Sequence, residues 1–192
     1  VVEAARRLFL QKGYVATTMT EIAREAGVAA QTVYLSFTGK AELLHRVADV
    51  AIAGDHDELT VYQRDAWQAM AGEQDPVRQV ELLADLMAAI ARRMAPVWHA
   101  YREAAAVDAR AATDMTELLR ARHESLTQAI RLLPADRLRR PLADTVDGFW
   151  TISSIDGYLL LTRHRGWDHE QWRRWLVDTA IVQILSPAPP ER

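Results

Sequence analysis

Thr17-Thr18-Met19-Thr20-Glu21-Ile22-Ala23-Arg24-Glu25-Ala26-Gly27-Val28-Ala29-Ala30-Gln31-Thr32-Val33-Tyr34-Leu35-Ser36-Phe37-Thr38-Gly39-Lys40-Ala41-Glu42-Leu43-Leu44 is the stretch that decides the reading of this chain. Thr18 and Glu21 have the spacing of a capping box, in which hydroxyl and carboxylate satisfy the free N–H groups of a helix start. Ile22, Ala23 and Ala26 then face one side, and Gly27 stops the helix. Val28, Val33 and Phe37 are the apolar positions expected to close a small core. Thr38-Gly39 reads as a turn, and Lys40 opens a longer helix to about Ala53. Two short helices around a glycine turn, followed by a longer one, are the grammar of a helix-turn-helix, the unit that lays one helix in the major groove of DNA.

Helical periodicity continues on both sides, and strand alternation is almost absent. Upstream, Val1, Ala5, Leu8 and Phe9 share a face, and Gly13 is placed to cap it. Downstream, the polar stretch from Gly54 to Glu58 reads as a hinge. Trp67 and Met70 belong to a short helix. Asp75-Pro76 supplies an N-cap and a proline at the first helical position. Leu83, Met87, Ile90 and Met94 follow on one face, Pro96 kinks or restarts the helix, and Trp98 and Tyr101 carry the stripe on. Asp108 caps a helix reaching about Leu133, and Pro134 and Pro141 bracket a loop. One long helix is expected from Leu142 to Arg165, ended by Gly166. The last helix, His169 to Leu185, opens on a second capping box, Asp168 to Gln171, with Trp167 and Trp172 spaced as a hydrophobic staple. The tail from Ser186 is expected to fray.

Composition narrows the function. The 192 residues are 49% apolar, enough for a real core. Net charge is −3, and in the first 55 residues acids balance bases, so DNA affinity has to come from the placement of charge. Cysteine is absent, which removes disulfides and thiolate metal sites. No apolar run is long enough to span a bilayer, so no membrane partner and a cytoplasmic setting are expected. The chain opens on Val1 inside a helical pattern, so residues are expected to precede it. The six histidines show no His-x-His or His-Glu-x-x-His spacing, so no metal site is expected. No Gly-x-Ser-x-Gly and no Gly-rich phosphate loop appears, so neither catalytic residues nor a cofactor are expected.

Phe9, Gly13, Thr17, Thr18, Ile22, Ala23, Ala26, Gly27, Val28, Thr32, Tyr34, Phe37, Lys40 and Leu44 together resemble the amino-terminal domain of TetR-family transcriptional regulators. The run from Asp147 to Leu185, with Phe149-Trp150, Arg165-Gly166-Trp167 and Trp172 to Leu176, resembles the paired dimerisation helices of one subgroup. Two positions depart from the pattern. Ala29 replaces a frequent serine and removes an N-cap, and Gln31 stands where glycine is common and offers both a donor and an acceptor to a base edge.

The resemblance implies an all-α chain, with a three-helix helix-turn-helix domain at 1–45, a helical ligand-binding and dimerisation domain at 46–186 and a flexible tail at 187–192. It implies a homodimeric, ligand-responsive repressor on a palindromic double-stranded operator. The alternative is a helical small-molecule-binding protein without DNA binding. The expected DNA contacts are Thr17, Thr18, Gln31, Thr32, Tyr34, Leu35, Ser36 and Lys40, with Tyr34 and Lys40 matching phosphate-holding positions. A pocket for a small apolar or aromatic effector is expected at Met87, Met94, Trp98, Tyr101, His123 and Trp150, and His99, Arg102 and Glu103 are further polar candidates. Core packing is the competing reading of the apolar stripe. Gly148, Ser153, Ser154 and Gly157, inside the apolar Leu142–Arg165 stretch, are either tolerated small residues or a sign of close helix approach, as at a dimer seam.

Overall fold

A computed structural model describes residues 1–55 and 61–187. Among these residues every regular element is helical, apart from a single antiparallel bridge between Leu138 and Leu185. The fold is all-α, with an amino-terminal helix-turn-helix and a helical carboxy-terminal part. The helices are α1 (Val2–Lys12), α2 (Met19–Glu25), α3 (Ala30–Ser36), α4 (Lys40–Ala53), α5 (Asp65–Gly72), α6 (Pro76–Val107), α7 (Ala109–Arg131), α8 (Leu142–Ile152), α9 (Ile155–His164) and α10 (His169–Ile184). They gather into two compact units.

The first unit holds the described residues up to Asp55 together with Arg93–Leu119, the end of α6 and the start of α7. Its core includes Phe9, Tyr14, Ile22, Val33, Leu43, Leu44 and Val47. The local signals explain its corners. Gly13 ends α1 at φ 82°, and Gly27 turns between α2 and α3 at φ 69°, a region that side chains with a Cβ avoid. Thr18 accepts from the Glu21 N–H while Glu21 accepts from the Thr18 N–H, the complete capping box. Of the three positions expected to close this core, Val33 is fully buried, Phe37 half-buried and Val28, next to the Gly27 turn, exposed. At the far end of α4, Arg93 donates to the carbonyls of Ala51 and Ile52 at 2.9 and 2.8 Å. A cation at a helix C-terminus satisfies orphaned carbonyls and faces the negative end of the dipole. Asp108 joins α6 to α7 and accepts from the N–H groups of Arg110 and Ala111.

The second unit holds the described residues from Val61 to Arg92 and from Arg120 onward. Pro96 lies inside α6 without ending it. Met70, Leu83, Leu126, Ile130, Phe149 and Trp172 are buried here. The single helix expected from Leu142 to Arg165 is two. Ser153 turns its hydroxyl back to the Phe149 carbonyl, and Ser154 leaves helical geometry to cap α9 through the Gly157 N–H. Serine competes with the backbone ladder in this way, so the pair ends one helix and starts the next. Gly148 faces the Gln183 side chain on α10, whose flexible amide end takes up the space a methyl would fill. Asp168 caps α10 through the Gln171 N–H. The expected staple is differently paired. Trp167 meets Trp175, with ring centroids 6.2 Å apart, and Trp172 is buried edge-on against Tyr158 at 4.9 Å. The rest of the expected 54–58 hinge after Asp55, and the tail after Pro187, lie outside the described residues.

Candidate nucleic-acid interface

Helix α3 presents two different faces. Val33 is fully buried and anchors it, while Gln31, Thr32, Tyr34, Leu35 and Ser36 are exposed. Leu35 is 81% exposed and Tyr34 55%, an unusual outlay of apolar surface for one turn of helix. The side chains of Gln31 and Tyr34 make no hydrogen bond among the described residues, so their polar groups are available to a partner. Ser36 turns its hydroxyl to the Thr32 carbonyl at 3.2 Å. Ala29 leaves the start of α3 without a side-chain cap.

The other expected contacts are engaged inside the protein. Thr17 is buried and donates to the Gly13 carbonyl at 2.7 Å, which withdraws its hydroxyl from any phosphate. Thr18 is exposed, but both its hydroxyl and its N–H serve Glu21. Lys40 points inward. Its ammonium donates to the carbonyls of Tyr14 and Thr17 at 2.7 and 2.9 Å, approaches that of Val15 at 3.4 Å, and lies 4.2 Å from the Tyr14 ring centre. An ammonium has three donors, and this loop occupies them. Burial pulls the Lys40 pKa down, and the nearby Asp108 and Glu103 oppose that shift.

Two acids complete this brace. Glu103 on α6 accepts from the N–H groups of Tyr14 and Val15 at 2.8 and 3.2 Å. Asp108 accepts from the Tyr14 hydroxyl at 2.6 Å. Burial and this bond push the Tyr14 pKa up, and the same bond holds Asp108 below the ordinary carboxylate value. Sequence reasoning missed the role of both acids here, since the partners lie 89 and 94 residues apart. The surface charges are also matched. Lys12 meets Glu21 at 2.6 Å and Arg7 meets Glu25 at 3.1 Å.

The expected effector residues fall in both units. Met94, Trp98 and Tyr101 are buried in the first, where the Tyr101 hydroxyl lies 3.2 Å from His45 Nδ1. Met87 is buried in the second. His123 and Trp150 come together there, with rings 6.3 Å apart, but His123 turns its Nε2 to Asp147 at 2.8 Å. His99 and Arg102 are exposed, and Glu103 belongs to the brace. An open groove of about 560 Å³ lies elsewhere, lined by Arg139, Arg140, Asp178, Thr179, Val182 and Gln183. No group of three or more His, Asp or Glu among the described residues is arranged to hold a metal. No described helix is long and apolar enough to cross a membrane.

A compact three-helix head with one helix displaying free side chains defines a helix-turn-helix protein. Residues 1–47 match the family model of the bacterial regulatory proteins of the tetR family, so the amino-terminal part of the chain is similar to the DNA-binding domain of that family. It is 39% identical over 59 residues to the HTH-type transcriptional regulator TtgR of Pseudomonas putida, a match covering 31% of this chain and 28% of that protein. The chain therefore spans well under a third of the curated relative in this match. Solved structures share the whole fold. One, from Saccharomonospora viridis, is described as a transcriptional regulator in complex with choline; it is 16% identical, covers 96% of this chain and 95% of its own, and has a TM-score of 0.71. The fatty acid degradation regulator FadR from Bacillus halodurans is 13% identical over 94% of this chain and 92% of its own, with a TM-score of 0.69.

Proposed function

We propose that this protein is a ligand-responsive, homodimeric transcriptional repressor that reads a palindromic operator with α3. The observation that carries the reading is the unengaged outer face of α3, with Gln31, Tyr34 and Leu35 free on a helix fixed by Val33. Gln31 is the candidate base reader, since glutamine can pair both a donor and an acceptor with adenine. Leu35 suits a thymine methyl, and Tyr34 a phosphate oxygen. Thr32 and Ser36 complete the face. Thr17, Thr18 and Lys40 support it from behind in this reading. A gel-shift titration across salt concentrations, on DNA flanking the gene, tests it. Salt-sensitive, sequence-selective binding is expected. Binding without sequence preference, or none, returns the protein to the alternative of a helical small-molecule-binding protein.

Dimerisation is assigned to α8, α9 and α10, whose outer faces expose Leu160 and Val182 at 60% and 62%. Two recognition helices must sit roughly 34–36 Å apart to meet successive major grooves. Val182→Glu is expected to give monomers with lost operator affinity, read by sedimentation. The effector is a small apolar or aromatic molecule bound in the helical carboxy-terminal part. It releases DNA only if it binds the two dimer states with different affinity.

A further inference from the structure

Arg122, on the stretch of α7 within the second unit, holds a charge that nothing described around it answers. The side chain is half-buried. Its Nη2 donates to the Trp150 carbonyl at 3.0 Å and to the Ser153 hydroxyl at 2.7 Å, and its guanidinium lies 5.6 Å from the Trp150 ring centre. Among the described residues, Nε and Nη1 make no hydrogen bond, and no carboxylate pairs with the group. Burial alone acts on it, pulling its pKa down to about 10. Taking a cation out of water is costly unless an anion or a full set of acceptors replaces the hydration.

Part of the arrangement has a structural cause. Ser154 N–H bonds the Thr151 carbonyl, so the Trp150 carbonyl loses its helical partner at the break between α8 and α9, and Nη2 takes it. That task needs one donor, which a neutral glutamine also offers. The charge itself has no carboxylate partner among the described residues, and Nε and Nη1 remain open to a ligand. Trp150 adds to the imbalance, because its indole Nε1 is buried with no hydrogen-bond partner. The indole N–H is thus the buried donor without an acceptor beside this guanidinium, whose Nε and Nη1 are not sealed from solvent. The neighbouring surface is aromatic. Ser125 lies three residues along the same face of α7 and meets the Tyr62 hydroxyl at 3.2 Å. Tyr62 packs edge-on against Trp67 at 4.8 Å. His123 does not compete for this role, since it faces Asp147.

We infer that Arg122 and the Trp150 indole N–H anchor the carboxylate of a small aromatic or apolar acid, so that the effector is an organic monoanion. The inference rests on the reading that the carboxy-terminal part takes a small effector, and it replaces His123 with Arg122 as the polar anchor. A carboxylate supplies both the missing charge and the missing acceptors, and the arginine–carboxylate pair is among the strong hydrogen-bonded pairs. Binding would also draw on the guanidinium that holds the end of α8.

The test titrates the full chain with benzoate, 4-phenylbutyrate, their amides and choline, read by tryptophan fluorescence and by the unfolding midpoint. The acids are expected to bind about tenfold or more tightly than their amides, with choline inert, as hydrogen bonds to a charged group imply. Arg122→Met should remove that preference, and Arg122→Lys should keep part of it. Trp150→Phe keeps the ring, deletes the N–H and covers the case in which Arg122→Met fails to fold. It should weaken the acids several-fold and the amides less, since an amide carbonyl accepts the same N–H without the charge. A wild-type protein that ignores every acid, treats acid and amide alike or prefers choline overturns the inference. So does unchanged acid binding in Arg122→Met or Trp150→Phe. Operator binding is read separately in the same samples. Acid binding without DNA binding removes the repressor reading and leaves this one, and the converse removes this one alone.

Discussion

The outer face of α3 and the loop from Gly13 to Thr17 lie in the same short domain, yet they handle polar groups in opposite ways. On α3, the side chains of Gln31 and Tyr34 have no hydrogen-bond partner among the described residues. Around the loop nearly every polar group has one. Thr17 bonds Gly13, Lys40 bonds Tyr14 and Thr17, Glu103 takes two N–H groups, and Asp108 takes the Tyr14 hydroxyl. The contrast separates a surface free to bind from a brace that orients it. Motif positions that look alike in sequence fall on different sides of that line.

Removing the brace's cation has the largest expected effect. Lys40→Met leaves the Tyr14 and Thr17 carbonyls without their donor, and a charged hydrogen bond is worth about 1.5–3 kcal/mol. A loss near about 3 kcal/mol is expected in the denaturant midpoint, and a loss under about 0.5 kcal/mol would break the comparison. On the reading side, Gln31→Ala should leave stability nearly unchanged and relax preference at one base pair by about 1–3 kcal/mol. A selection that returns the same operator for both proteins removes Gln31 as a reader. Glu103→Gln is milder, since the amide oxygen still accepts one N–H while the charge is lost. About 1 kcal/mol is expected, read in the same denaturant assay.

Acid gives the smallest and most general effect. Bonds from Lys12 and then Thr18 hold Glu21 at about 2, against an ordinary 4.5. Thr38 likewise lowers Glu42, and Tyr14 lowers Asp108. The unfolded chain takes up these protons first, so stability present above about pH 4.5 is lost progressively toward about pH 2. Tyr14→Phe should shift the part due to Asp108, measured as the change in acid midpoint. An unchanged midpoint would argue against that bond.

Much of the head was legible because its signals are local. The capping box needs only Thr18 and Glu21, and the turn only Gly27. Lys40 was legible as important but not as to why, since its partners lie across the loop and its acids on α6 and at the start of α7. The break at Ser153-Ser154 was present in the residue types, but the apolar periodicity on both sides outweighed it. Arg122 carried no signal, because an arginine on a helix is ordinarily a solvated residue. Its meaning comes from Trp150 and Ser153, which the fold brings to it.

The division between reading face and brace is tested most directly by the salt dependence of operator binding in Lys40→Met, measured under conditions where the variant remains folded. Each phosphate neutralised by a side chain contributes about 0.9 to the slope of log affinity against log salt on duplex DNA. The account predicts the same slope for wild type and Lys40→Met, with a reduced slope for neither. A slope lowered by about one counterion would show that Lys40 leaves the loop to hold a phosphate, and would contradict the division.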